Sequence, residues 1–153
     1  MHKAEVNKID PQRAMEVGNS CLCNNLRRCA RLATQIYEEA LRPLGLKVTQ
    51  FSLLMSLTYY GDISINRLAR VMGMDRTTLS RNMRVLQKRG LIAVDRGNDR
   101  REQILSLSNE GREILNQALP IWEEVQAKMA ELLNLERMEN VVLTLRNLNK
   151  DLS

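Results

Sequence analysis

The stretch DRTTLSRNMRVLQKRG, residues 75–90, decides the fold. Asp75 is a residue type that caps helix N-termini, and Gly90 one that stops a helix just past its last turn. With successive residues placed about 100° apart around a helix axis, Met83 and Leu86 fall close to Leu79 and form one apolar stripe. Thr77, Arg81, Arg84 and Lys88 cluster on the opposite side, with Ser80 beside them. That second face carries hydroxyls and cations and no carboxylate. Solvated helix faces usually mix Glu with their Lys and Arg at i,i+4 spacing, and this one does not. It suits a DNA major groove, where Arg bonds bidentately to guanine and Thr touches a base or a phosphate.

The neighbouring segments extend this reading. Upstream, Ser64 caps a short helix whose Ile65, Leu68, Ala69 and Met72 face inward, and Gly73 supplies a tight turn, so residues 64–90 form a helix-turn-helix. Downstream, LIAV (91–94) and EQILSL (102–107) are short, apolar-rich and strand-like, joined by the polar turn DRGNDRR (95–101). Arg96, Arg100 and Arg101 surround a hairpin tip of Gly97, Asn98 and Asp99 that is too polar to be core. A basic β-wing beside a recognition helix reaches the neighbouring minor groove or its phosphates. The candidate DNA-binding residues are therefore Ser64, Arg76, Thr77, Thr78, Ser80, Arg81, Arg84 and Lys88 from the helices, and Arg96, Asp99, Arg100 and Arg101 from the wing.

The flanks read as helices. Asp10-Pro11 opens one in the manner of an N-cap followed by proline at the first helical position. Gly18 interrupts it, and Asn19 or Ser20 caps a second start. From Cys21 to about Leu41 apolar residues recur at spacings of three and four, until Pro43 and Gly45 end the pattern. A further helix covers about Thr49 to Tyr59. Ser108 or Asn109 begins a long one to about Leu133, which Pro120 is expected to kink. The last, about Leu135 to Leu152, sets Met138, Val141, Val142, Leu145 and Leu148 on one side. The fold class is mainly α with a small β-hairpin wing: a winged helix-turn-helix between N- and C-terminal helices.

Composition supports a DNA-binding rather than a catalytic reading. The 153 residues are enough for one domain with a real core, and 44% hydrophobic with 27% charged residues is ordinary for a globular chain. The net charge is +5, but residues 64–101 hold ten Lys and Arg against three Asp, a local +7, leaving −2 for the rest. Such concentration is the electrostatic footprint of nucleic-acid binding. The single histidine is His2, and there is no glycine-rich phosphate loop and no H-E-x-x-H pattern, so the expectation is no enzyme, no metal and no cofactor. No apolar run approaches a membrane span and the polar N-terminus resembles no signal peptide, which predicts a cytoplasmic protein without a membrane partner.

INRLARVMGMDRTTLSRNMRVLQKRGLIAVDRGNDRREQILSLSNEG, residues 65–111, resembles the winged helix-turn-helix core of the MarR family of bacterial and archaeal transcription regulators. The resemblance includes the D-x-R of the wing, here Asp99 and Arg101, followed by a strand and L-S-x-E-G. It covers nearly the whole chain, and implies a single domain over 1–153 in which residues 11–42 and 109–152 are dimerisation helices and 49–108 the DNA-binding lobe. It further implies a homodimer on double-stranded DNA at a pseudo-palindromic operator, with Arg101 at the wing tip and Asp99 orienting it. The residues agree about the dimer. Leu115, Leu119, Trp122, Val125, Met129, Leu132, Leu133, Leu145 and Leu148 carry more apolar surface than a thin winged lobe can cover. A winged-helix adaptor that binds protein instead would need apolar exposure on the 76–89 helix, whose outer face is polar and cationic.

The resemblance also implies release by a small phenolic or aromatic inducer held between the dimerisation helices and the DNA-binding lobe. Arg13, Met15, Tyr37, Met55, Tyr59 and Trp122 are the residues here that such a crevice could use. A rival signal lies in NSCLCNNLRRC, residues 19–29, which holds all three cysteines. On a helix, Cys21 and Cys23 point about 200° apart and Cys21 to Cys29 spans about 12 Å of rise, so no two share a metal or a disulfide while that helix is intact. One reactive thiol suffices for redox sensing, and Cys21 or Cys23 would sit in the first turn of a capped helix, where negative charge is favoured. LCNNLRRCARLATQIY further resembles the first helix of the organic-hydroperoxide-sensing branch of the family. That likeness places Cys23 at the sensing cysteine and Tyr37 at one of its hydrogen-bonding tyrosines, with Val48 where the second would fall. The other reading of these cysteines is plain helix packing.

Overall fold

The structure is a computed structural model that describes residues 9–97 and 102–152. It has two compact units dividing between Ile36 and Tyr37. Helix α1 (Pro11–Ser20) belongs to the first; helix α2 (Leu22–Leu41) starts there and ends in the second. The second unit continues with a 3-10 turn (Arg42–Leu44), α3 (Val48–Tyr60), β1 (Ile63–Ser64), α4 (Ile65–Val71), α5 (Arg76–Lys88), β2 (Ile92–Arg96), β3 (Gln103–Leu107), α6 (Asn109–Leu133) and α7 (Leu135–Asp151). Among the described residues no helix is long and apolar enough to cross a membrane.

Most helix starts follow from one side chain. Asp10 Oδ1 accepts from Gln12 N at 3.1 Å, with Pro11 in the first turn of α1. Ser64 Oγ accepts from Arg67 N at the head of α4, Asp75 Oδ1 from Thr78 N at the head of α5, and Ser108 Oγ from Gly111 N at the head of α6. Gly73 and Gly90 take φ of 60° and 70°, the left-handed region in which a side chain is strained, and so close α4 and α5.

The joint between α1 and α2 differs from the sequence pattern. Gly18 does not interrupt α1, which runs on to Ser20, because one glycine inside a helix costs only about 1 kcal/mol relative to alanine. Neither Asn19 nor Ser20 caps the next helix. The chain leaves helical geometry at Cys21 (φ −68°, ψ 109°), and the Cys21 Sγ accepts from Asn24 N at 3.5 Å. Asn24 and Asn25 then reach back, donating from their side-chain amides to Gly18 O at 3.2 Å and Asn19 O at 2.9 Å. Cys21 therefore lies outside the helix, so helical positions do not fix its separation from Cys23 and Cys29.

The core of the second unit forms where α3, α4, α5 and the sheet meet, with Leu53, Leu54, Leu57, Leu68, Leu79, Leu86 and Leu105 fully enclosed. The sheet has strand order β1-β3-β2, all antiparallel, with Ile63 opposite Leu105 and Ile92 opposite Leu107. No sequence pattern announces β1, since two residues carry no periodicity; it forms because β3 offers a free edge and Ile63 a buried side chain. Helix α6 keeps Pro120 inside one continuous element and buries Leu115, Ala118 and Val125. Helix α7 buries none of its residues: Val141, Val142, Leu143 and Leu145 are all exposed. Asn134 (φ 67°) joins the two, its Oδ1 accepting from Glu136 N at 3.0 Å.

Candidate nucleic-acid interface

Helix α5 is fixed rotationally by its inner stripe. Leu79 and Leu86 are 0% exposed and Met83 6%, as the sequence spacing predicts. Burying each contributes about 1.5–3 kcal/mol, enough to hold one face inward. The opposite face then points to solvent: Arg76, Thr77, Arg81, Arg84 and Lys88 are exposed and Ser80 is half-buried. Among the described residues none of these four cations makes a hydrogen bond or an ion pair; the ion pairs there are Arg13–Glu16 and Arg42–Glu39, both far along the chain. The face is thus an unneutralised basic strip.

Two of the expected contacts are occupied locally. Thr78 donates its hydroxyl to Asp75 Oδ2 at 2.5 Å while its N–H meets Oδ1, so its proton serves the cap of α5. These hydrogen bonds hold the Asp75 carboxyl below the usual carboxylate range. Ser64 is half-buried, and its oxygen caps α4. Arg67 and Arg70, to which the sequence pattern assigns no contact, are exposed on α4 and make no side-chain bond among the described residues. Their signal is present in the local charge count, but a seven-residue helix is too short to show its outer face.

The wing stands beside this strip. Asn66 of α4, Arg76 of α5 and Glu102 and Gln103 of the hairpin line one small cleft, which brings the head of α5 next to the hairpin base. Arg96 is exposed at the end of β2, opposite Gln103. Gly97 N donates to Glu102 O at 2.9 Å and closes the base of the tip. Asp99, Arg100 and Arg101, expected at the tip, lie outside the described residues.

The L-S-x-E-G stretch, residues 107–111, anchors the wing to α6. Ser108 Oγ donates to Gly90 O at 2.6 Å and Ser108 N to Leu91 O at 3.3 Å. A Cβ at Gly111 would overlap the Leu91 carbonyl oxygen and stand 2.7 Å from Leu107 Cδ1, so only glycine lets α6 approach β2 this closely.

Met55 lines a hollow of about 290 Å³ with Thr58, Leu107, Arg112, Leu115, Asn116 and Leu119. Tyr59 and Trp122 are not part of that lining: Tyr59 is 83% exposed and edge-on to Tyr60 at 4.8 Å, and Trp122 packs on the core. Tyr37 is half-buried, and burial pushes its phenol above the ordinary value. Arg13 pairs with Glu16 at 3.2 Å, and Met15 is exposed on α1. Cys23 and Cys29 are exposed and Cys21 half-buried, all as free thiols. Among the described residues no three metal-ligating side chains come together.

Comparison with known proteins places this arrangement among transcription regulators. The MarR family profile matches residues 44–102, the span from the α2–α3 corner to the residue before β3. The Mycobacterium tuberculosis transcriptional regulator MosR, solved in complex with DNA, is 36% identical, with 86% of this chain and 96% of that one covered and a TM-score of 0.78. An uncharacterized HTH-type transcriptional regulator of Bacillus subtilis, YwoH, is 26% identical over 115 residues, which span 75% of this chain and 79% of the relative. BpsR of Bordetella bronchiseptica, whose DNA binding is regulated by 6-hydroxynicotinic acid, shares the fold at 23% identity, 86% and 96% coverage and a TM-score of 0.76.

Proposed function

The chain belongs to the MarR family of DNA-binding transcription regulators, which are not enzymes, and on that premise we propose that it is a homodimeric repressor of a pseudo-palindromic operator, released by a small aromatic ligand. The observation that carries the DNA reading is the unneutralised cationic face of α5 beside the wing. In this reading Arg81, Arg84 and Thr77 meet base edges and phosphates in the major groove. Arg76, Lys88, Ser80 and Arg96 meet the backbone, and Arg100 and Arg101, oriented by Asp99, extend the contact at the wing. Two such lobes sit about one DNA turn apart, roughly 34 Å, on the two half-sites.

The dimer is supported by α7. A 17-residue helix with no buried side chain and an apolar series from Val141 to Leu145 is not stable in water without a cover. A second copy is the cover the family premise supplies. For the ligand, the hollow beside Met55 has apolar walls from Leu107, Leu115 and Leu119 and one cation, Arg112, that makes no side-chain bond among the described residues. Apolar walls with one cation fit an aromatic acid.

The deciding experiment is selection of a random-sequence duplex pool on the purified protein, followed by titration of the enriched duplex in rising salt. A palindromic sequence bound by two chains, with affinity that falls steeply with salt, is the expected result. Failure to enrich any sequence would sink the DNA reading.

A second reading keeps the fold and changes the signal. It is favoured by the joint between α1 and α2, where Cys21 caps a helix through its sulfur and Cys23, in the first turn, is exposed. An organic hydroperoxide would oxidise the Cys23 thiol to a sulfenic acid and leave as the alcohol, loosening the joint. This predicts hydroperoxide-induced release from the selected duplex that Cys23→Ser abolishes; unchanged release in the variant rejects that thiol as the sensor.

A further inference from the structure

Of the ten cations between residues 64 and 101, Arg89 behaves unlike the others of the described set. It is the last residue of the α5 region, just before the Gly90 turn, and its guanidinium is turned back onto the protein. Nη1 donates to Gly45 O at 2.7 Å and Nη2 to Leu44 O at 3.0 Å. Both acceptors lie in the corner between α2 and α3, some forty-five positions away in the chain. That corner is rooted in the core on either side, by Leu41 at 1% exposure and Leu46 at 2%. Its own hydrogen bonds, Gly45 N to Arg42 O at 2.9 Å and Leu46 N to Leu41 O at 3.4 Å, hold the two carbonyls in place.

We propose that Arg89 is a positioning residue for DNA recognition: its fork pins the C-terminal end of α5 to the α2–α3 corner and so sets the tilt of the recognition helix. This rests on the reading that α5 enters the duplex. A helix seated on the stripe Leu79, Met83 and Leu86 is fixed in rotation but can rock about that stripe. Among the described residues, α5 is also tied to α3 by a long contact, Thr49 Oγ1 to Asn82 Oδ1 at 3.5 Å near the middle of α5. Arg89 acts at the end, where the lever arm is longest and a tie of given stiffness restrains the tilt most. Two carbonyls side by side match the planar guanidinium, whereas an ammonium can meet only one of them well. With both terminal nitrogens engaged inward, Arg89 is not aimed at a phosphate, unlike Arg81, Arg84 and Lys88.

The test is fluorescence-anisotropy titration of the full chain on two probes, the duplex enriched from a random pool and a scrambled duplex of equal length, across a salt series. The active fraction is fixed first by stoichiometric titration, so that loss of folded protein does not register as loss of affinity. Arg89→Gln is expected to lower affinity for the enriched duplex about tenfold while leaving scrambled-duplex affinity and the salt slope unchanged. Arg89→Lys is expected to fall between the parent and Arg89→Gln. Lys88→Gln, as the contrasting case, weakens both probes and reduces the salt slope by about one. If Arg89→Gln weakens both probes equally and lowers the slope by about one, Arg89 is a phosphate contact and the inference is overturned. It is overturned as well if Arg89→Gln and Arg89→Lys both bind as the parent does. If the parent itself enriches no sequence, the DNA-binding reading fails, an outcome distinct from either.

Discussion

Gly111→Ala is expected to lower the free energy of unfolding by about 3 kcal/mol, the upper end of what overpacking a well-filled site costs. For a chain of this size that is a fall of about 10 °C in Tm. The new Cβ overlaps the carbonyl oxygen of Leu91, which is backbone and cannot swing aside, and crowds Leu107 Cδ1 at 2.7 Å. Relief requires α6 to move away from β2. That movement breaks the bonds from Ser108 to Gly90 O and Leu91 O, so the cost in packing is joined by a cost in hydrogen bonds. Circular dichroism during thermal and urea unfolding reads the effect. Gly18→Ala is the control: it lies within α1, and a methyl group there would meet nothing within 4 Å, so the change is expected to leave stability unchanged or slightly raised. Equal melting of Gly111→Ala and the parent would show that α6 does not need this approach.

Arg81→Ala is expected to cost about 2 kcal/mol of binding to the enriched duplex, roughly thirtyfold in affinity, because a bidentate base contact discriminates by about that much. Arg81 is exposed in the first half of α5, the part of a recognition helix that meets base edges. It makes no side-chain bond among the described residues, so its removal leaves the fold intact and the stability within about 0.5 kcal/mol of the parent. The scrambled duplex serves as the internal control. Loss confined to the enriched duplex assigns Arg81 to base reading, and the sequence preference relaxes at one position of each half-site. Equal loss on both duplexes would instead make it a phosphate contact. Lys88→Ala is the comparison that should behave in that second way, weakening both probes and lowering the salt slope by about one.

The helix-turn-helix and its wing are legible along the chain because every determinant is local. Ser64, Asp75 and Ser108 sit at helix heads where a side-chain oxygen meets an N–H three residues on, and Gly73 and Gly90 sit where the backbone turns left-handed. The inner stripe of α5 follows from the 3.6-residue period alone. The joint at Cys21 is not legible, since nothing in NSCLCNN says that a thiol, with two asparagines reaching back, will take the place of Asn19 or Ser20 as the cap.

Sequence periodicity and capping thus account for which residues are helical, which face of α5 is cationic and where the wing begins, all of them consequences of interactions within a few positions. What needed three dimensions were the pairings of distant residues with no periodic signature. Arg89 counts in the sequence as one more basic residue, and only the folded chain turns it onto Leu44 and Gly45. Gly111 reads as an ordinary helix residue until β2 lies against it. Trp122 and Tyr59 read alike as aromatic residues on helices until the first packs on the core and the second turns to solvent. Local chemistry is written residue by residue, whereas close approach is a property of the packed surface that two remote segments make together.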